Sequence, residues 1–396
     1  MESGLRSSLR LSAALGAALV LVGCAGGASP SAATTRSLQF VVSSDAHYGI
    51  SRARFRGRTH VDAHDVNVAL VASINALPQS AFPNDGGQRA GAVVGPLDFV
   101  VEAGDMANRQ EDNESDHVQG ATASWSQFVD DYVHGLTVRT AAGQPSPLFL
   151  LPGNHEASNA IGYYERMTPP TDPVPLIDIR NRMLPDLPAL TPSTFSYERD
   201  RVFFTRDIGG LHFVFLHIWP DSAMRTRLES DLTSVPRTTP VIVFAHDQPD
   251  VQSKHLTNPN GRRDINATDK FENLLSDTFA SGTSIENPSV IEQGALERFL
   301  AGHPNITAYF HGNSNWHQVY DWNGPSHSAR LHTVRVDSPM KGAVSADDET
   351  KLSFAVVTVD LETRVMTVRE CLWNANAAMG ISWGDSATVT LSPRPK

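Results

Sequence analysis

Short apolar runs rich in Val, Ile, Leu and Phe alternate along the chain with longer polar stretches, and five of them stop at a residue able to bind a divalent metal. Residues 38–44 lead into Asp45-Ala46-His47, residues 97–101 into Gly104-Asp105, and residues 148–151 into Gly153-Asn154-His155-Glu156. Residues 241–245 lead into His246, and residues 306–310 into His311-Gly312. Runs this short and almost without charge read as buried strands. The carboxyl ends of sheet strands are where α/β folds collect their ligands, so the shared endpoint points to a metal centre.

Between these runs, Val66, Leu70, Ile74 and Leu77 recur at helical spacing, and Pro78 is the stop. Residues 52–58 read as a basic loop, residues 79–96 as a Gly- and Pro-rich loop, and residues 124–136 as a second helix. Prolines from Pro169 to Pro192 exclude long regular structure there and suggest an ordered insertion over one face, with disorder as the alternative. The stretch from Phe195 to Leu216 alternates and pauses at Gly209-Gly210, a hairpin signal. A polar insertion at 250–290, a helix at 291–301 and two or three strands within 329–371 complete the pattern. One layered α/β domain with insertions near 157–194 and 250–290 is the simplest account.

Composition narrows the function. A formal charge of -11 argues against a broad basic face for nucleic acid. It leaves a phosphorylated substrate open, because bound metal ions make an acidic site locally positive. At the amino terminus, Arg6 and Arg10 precede the apolar residues 11–22, a stretch too short to span a bilayer. Leu21-Val22-Gly23-Cys24 follows and resembles the lipobox of bacterial lipoproteins. That resemblance implies a signal peptide over residues 1–24, a lipidated Cys24 as the mature terminus, and a tether over residues 25–37. The domain would then occupy residues 38–396, exported and lipid-anchored on the outer face of the cytoplasmic membrane or in the periplasm. Cys371, the one other cysteine, reads as a buried apolar residue.

Asp45-Ala46-His47, Gly104-Asp105-Met106-Ala107-Asn108, Gly153-Asn154-His155-Glu156 and His246 stand in the order of the calcineurin-like metallophosphoesterase motifs. The chain resembles that family over roughly residues 38 to 340, and Gly-Asn-His-Glu is the most specific block. Asp62-Ala63-His64 repeats the first tripeptide inside the predicted helix and reads as a solvated face. The resemblance implies a four-layer α-β-β-α sandwich of two mixed sheets with loop insertions. It also implies two divalent transition-metal ions, Mn, Fe or Zn, that hydrolyse a phosphomonoester or phosphodiester. Asp105 would bridge the ions, Asp45 and His47 would hold one, and Asn154 and His246 the other. His155 would not bind metal but would donate a proton to the leaving oxygen, with Glu156 orienting it. Arg109 stands where Ser/Thr-type protein phosphatases of the same superfamily carry a phosphate-contacting arginine. Asn108 stands where the purple acid phosphatases carry tyrosine, so no iron–tyrosinate centre is expected.

One motif departs from the family. The final Gly-His-x-His reads Gly312-Asn313-Ser314-Asn315, which removes both expected imidazoles. Asn313 through its amide oxygen, together with His317, is the favoured replacement; His311 has the parity of the opposite face. Amide oxygens bind Zn or Fe more weakly than imidazole and shift the choice towards Mn or Mg. A metal-dependent phosphoesterase acting on a small phosphorylated substrate is therefore the leading expectation. The alternatives are a catalytically impaired binding or structural lipoprotein on the same fold and a secreted Ser/Thr-type protein phosphatase. Trp219, Trp316 and Trp322 are candidates for stacking on a substrate, or else packing residues.

Overall fold

The predicted strands form because Val, Ile and Phe runs bury both faces of a pleat, and their order builds two sheets rather than one. In the computed structural model, which describes residues 36–107, 119–157, 173–256, 274–277, 288–375 and 380–393, the first half contains β1 (Ser37–Ser43), β2 (Ser51–Phe55), β3 (Arg58–Asp62), α1 (Ala63–Ala76), β4 (Phe99–Glu102), α2 (Ala121–Phe128), β5 (Leu148–Leu150), α3 (Asn154–Ala157) and α4 (Val174–Met183). The chain continues with β6 (Phe203–Ile208), β7 (Leu211–Leu216), α5 (Ser222–Leu232), β8 (Val241–Phe244), α6 (Pro288–Gly302) and β9 (Ile306–His311). It closes with β10 (Gln318–Trp322), β11 (Leu331–Arg335), β12 (Ser353–Asp360), β13 (Val365–Leu372) and β14 (Ser382–Thr390).

One six-stranded sheet runs β14-β13-β12-β1-β4-β5 and the other β10-β11-β9-β8-β7-β6. Both are mixed. β1, β4 and β5 are parallel and extended by antiparallel β12 to β14, whereas β7, β8, β9 and β11 are parallel with antiparallel edges. The two sheets meet through phenylalanine rings. Phe40 of β1 stacks on Phe99 at 4.5 Å and meets Phe213, Phe244 and Phe310 of the second sheet edge-on at 5.8–6.0 Å. Strand parity separates the layers. Phe213, Ile242 and Phe310 join the core between the sheets, while Val214, Val243 and Tyr309 pack with Leu228 of α5 and Leu296 and Leu300 of α6. The apolar stripes of α1 and α2 join the cluster of the first sheet. This is the α/β architecture of two mixed sheets with helix layers that the family resemblance implies.

Several expectations need correction. The stretch read as a basic loop at 52–58 is the antiparallel ribbon β2–β3, its turn made at Arg56 and Gly57 in left-handed backbone. The proline-rich stretch contains the ten-residue helix α4. Pro173 and Pro175 sit at its start, where a missing N–H costs nothing because that group has no intrahelical acceptor. The predicted second helix ends earlier, at Phe128, and passes into a wider π-turn over Val129–Val133. β14 carries no clear alternation of burial and was not expected. The hairpin at Gly209-Gly210 forms as read, both glycines having positive φ. His64 lies exposed on α1 and pairs with Asp131 at 2.7 Å. Cys371 is buried. Residues 1–35 with Cys24, Asn108, Arg109, and residues 158–172, 257–273 and 278–287 of the two insertions lie outside the described residues. Among the described residues no helix is long and apolar enough to cross a membrane.

Candidate metal centre

The site forms where the loops after β1, β4, β5 and β8 continue alongside one another past the strand ends. The amide of Asp45 donates to the Gly104 carbonyl and that of His47 to the Asp105 carbonyl, both at 2.9 Å. Asp45, His47 and Asp105 adopt φ of 59°, 44° and 55°. Left-handed backbone is uncommon for residues with a Cβ and persists only where the surroundings enforce it. Part of that enforcement is Glu156. Its carboxylate accepts from the amides of Gly153 (2.7 Å), Asp105 (3.0 Å) and Ala107 (2.8 Å), stapling the β4 and β5 loops together. Two glycines are also obligatory for close approach: a Cβ on Gly153 would enter Asp105, and one on Gly312 would enter Ser44 and Asp45.

Within this frame the structure brings together Asp45, His47, Asp105, Asn154, His155 and His246. His246 Nε2 lies 3.2 Å from Asp105 Oδ2 and 3.1 Å from Asn154 Oδ1. Its Nδ1–H donates to the Ala103 carbonyl at 2.8 Å, which orients the ring and leaves Nε2 facing the site. His47 Nε2 is 3.5 Å from Asp45 Oδ1 and 3.9 Å from Asp105 Oδ2. His155 Nε2 is 3.8 Å from Asp105 Oδ2, and its ring meets that of His47 edge-on at 4.8 Å. The potential ligand atoms fall into two groups, Asp45–Asp105–His246 and His47–Asp105–His155, each within 4.8 Å. Asp105 is common to both.

The electrostatics call for positive charge. Burial raises the Asp105 carboxyl, but the His246, His155 and His47 imidazoles outweigh it and hold the group well below the usual carboxylate range. Burial lowers His246, yet the Asp105 charge and hydrogen bond carry it up to about 10. Among the described residues the buried Asp45 Oδ1 has no partner closer than His47 Nε2 at 3.5 Å, whereas its Oδ2 takes the Ser44 hydroxyl at 2.6 Å and the Asn313 backbone N–H at 2.9 Å. Two buried carboxylates, two imidazoles and an amide oxygen fit a divalent ion of the Mn, Fe or Zn class.

The side chains expected to replace the absent imidazoles make other contacts. Asn313 reaches Asp45 through its backbone N–H, while its side-chain amide donates to Gln248 at 3.2 Å. Asn315 Nδ2 donates to the Asn313 carbonyl. Both asparagines adopt left-handed φ, 60° and 62°, which their short polar side chains tolerate. The charged neighbours of His317 are Glu370 and Asp385, on β13 and β14, not the site carboxylates. His311 turns away to Tyr320 at 3.0 Å, as its parity implies. Glu156 does not orient His155; it binds backbone. Trp219 and Trp322 are core residues, and Trp316 lies under the Arg335 guanidinium at 3.8 Å.

One residue that sequence reasoning missed stands in the centre. Lys341 Nζ lies 3.2 Å from His155 Nε2. Burial and then Lys341 lower both His155 and His47. Lys341 belongs to no motif, and only folding carries it there.

No family model matches the sequence, and no curated protein matches it. Among solved structures the chain is similar to a dimetal phosphatase from Danio rerio, at 12% identity and a TM-score of 0.47 over 90% of this chain and 99% of that one. A phosphopantetheinyl hydrolase from Mycobacterium tuberculosis matches at 12% identity and 0.33, over 77% and 91%. Vps29 from Entamoeba histolytica matches at 8% identity and 0.32, over 89% and 100%.

Proposed function

We propose that this chain is a divalent-metal-dependent phosphoester hydrolase, acting on a phosphomonoester or phosphodiester outside the cytoplasmic membrane from a lipid anchor at Cys24. The carrying observation is Asp105, a buried carboxylate shared by two groups of potential ligands drawn from separate strand ends. Asp45, Asp105, Asn154 and His246 would hold an ion, which when bound supplies Lewis-acid polarisation of a phosphoryl oxygen. The chain's own residues do the rest. Glu156 and the obligatory glycines hold the donor atoms in place before substrate arrives, so little reorganisation is left for the reaction. A water oxygen forms the new bond to phosphorus and gives up its proton to solvent; as the P–O ester bond breaks, its electron pair goes to the leaving oxygen. The proton that oxygen needs is held on the hydrogen-bonded pair of His155 Nε2 and Lys341 Nζ.

The test is hydrolysis of aryl phosphate mono- and diesters by the purified full-length chain, with and without added Mn²⁺ or Zn²⁺. Asp105→Ala is expected to lower kcat by about 10³-fold or more, equivalent to about 4 kcal/mol of transition-state stabilisation, and to lower bound metal in parallel. Activity that survives both chelation and this substitution would sink the reading.

A further inference from the structure

Lys341 lies on the loop after β11, and its position is built rather than incidental. The Ser338 hydroxyl donates to the Asp45 carbonyl at 2.8 Å and accepts the backbone N–H groups of Met340 at 3.1 Å and Lys341 at 2.9 Å. A turn that closes on Asp45 thus delivers Lys341. Buried Arg52 holds the same loop from its own strand, donating to the Pro339 carbonyl at 2.8 Å and to that of Ser345. The Ala343 amide donates to the Asn315 carbonyl at 2.6 Å. The loop carrying the lysine is therefore tied directly to the segment in which two imidazoles are missing.

Those two features explain each other. We propose that Lys341 is a resident cation of this site, standing on the His47–His155 side of Asp105, so that the chain works with one tightly held divalent ion and one ammonium. An ammonium has three donors and no acceptor, so His155 Nε2 accepts from it. A second divalent ion on that side would share Asp105 with the first and stand near the Lys341 ammonium, a like charge, in a buried setting that screens poorly. It would also find no imidazole at positions 313 and 315. One ion and one ammonium outweigh the charges of Asp45 and Asp105, and a lysine is a compact point charge suited to phosphoryl oxygens. The inference rests on the hydrolase reading and departs from the two-ion expectation.

Titration of the metal-stripped full-length chain with Mn²⁺, followed by calorimetry and by mass-spectrometric metal analysis, tests it. The wild type is expected to take up about one tight equivalent, and Lys341→Ala to bind a second at least about tenfold more tightly than wild type does. Lys341→Ala should also lower kcat on aryl phosphates about a hundredfold, with partial recovery in Lys341→Arg. A gain in affinity cannot come from misfolding, and thermal melts of each variant check the fold. Two tight equivalents in the wild type, or a second equivalent unchanged in Lys341→Ala, overturn the proposal. If the wild type binds no metal and hydrolyses nothing, the hydrolase reading itself fails and the proposal with it.

Discussion

Glu156 shows how a motif letter can be right in place and wrong in role. The spelling Gly-Asn-His-Glu puts it beside His155, but its carboxylate reaches back to amides of Gly153, Asp105 and Ala107. Nothing local announces this, because two of those amides lie about fifty residues earlier in the chain. A carboxylate accepts at both oxygens, whereas a glutamine has one acceptor and would point an NH₂ group at a backbone donor. Glu156→Gln is therefore expected to destabilise the fold by about 1–3 kcal/mol in urea melts, the cost of a buried donor left unsatisfied. The substitution should also weaken metal binding, since Asp105 loses its backbone anchor. Unchanged stability and metal affinity would show the staple to be dispensable. By contrast Asp45, Asp105, Asn154 and His246 were readable as a set, because each ends an apolar run. Lys341 was not, since no motif or periodic run frames it and its placement depends on Ser338 meeting Asp45.

At the scale of elements, runs of apolar residues announce buried strands well, and the parallel strands that build the site are all of that kind. Elements held by polar side chains are hidden. The ribbon β2–β3 carries four arginines, of which Arg52 is buried against carbonyls of a loop nearly three hundred residues away. The segment 79–96 looks like a loose loop and is clipped to β13 by Arg369. That guanidinium is fully buried, pairs with both oxygens of Asp85 at 2.8 and 2.9 Å, donates to the Gln88 carbonyl and lies over the Phe82 ring. Removing one partner strands a buried charge, so Asp85→Ala should cost about 3–5 kcal/mol. The Arg369 hydrogen bond lowers Asp85 from 3.8 to about 2. A depressed carboxylate stabilises the fold above its unfolded pKa and loses that contribution as pH falls through the folded value. The penalty of Asp85→Ala, read by denaturant titration, should accordingly be full at neutral pH and shrink as pH falls towards about 2.

Across the whole molecule, the two sheets do different work for one site: the first supplies Asp45, His47, Asp105, Asn154 and His155, the second His246 and the loops bearing Asn313 and Lys341. The second sheet also carries an acid that charge counting overlooks. Asp337 follows β11, at the root of the Lys341 loop, and is buried; burial raises it from 3.8 to about 8. The sign follows from linkage. A carboxyl whose folded pKa is raised is favoured neutral, so its contribution is complete below about 3.8 and is lost as pH rises through about 8. The net charge of -11 works in the same direction, since self-repulsion grows as acids ionise. Asp337→Asn separates the two, because it keeps the shape, stays neutral and leaves the rest of the surface unchanged. Urea melts with chelator present, so that metal loading does not vary, should show the wild type losing stability between about pH 5 and pH 8.5, and Asp337→Asn losing distinctly less over that interval. If the two curves run parallel, Asp337 ionises in the fold as freely as in the unfolded chain. The root of the lysine loop would then be wetter than its burial indicates, and Lys341 less firmly placed than the Ser338 turn implies.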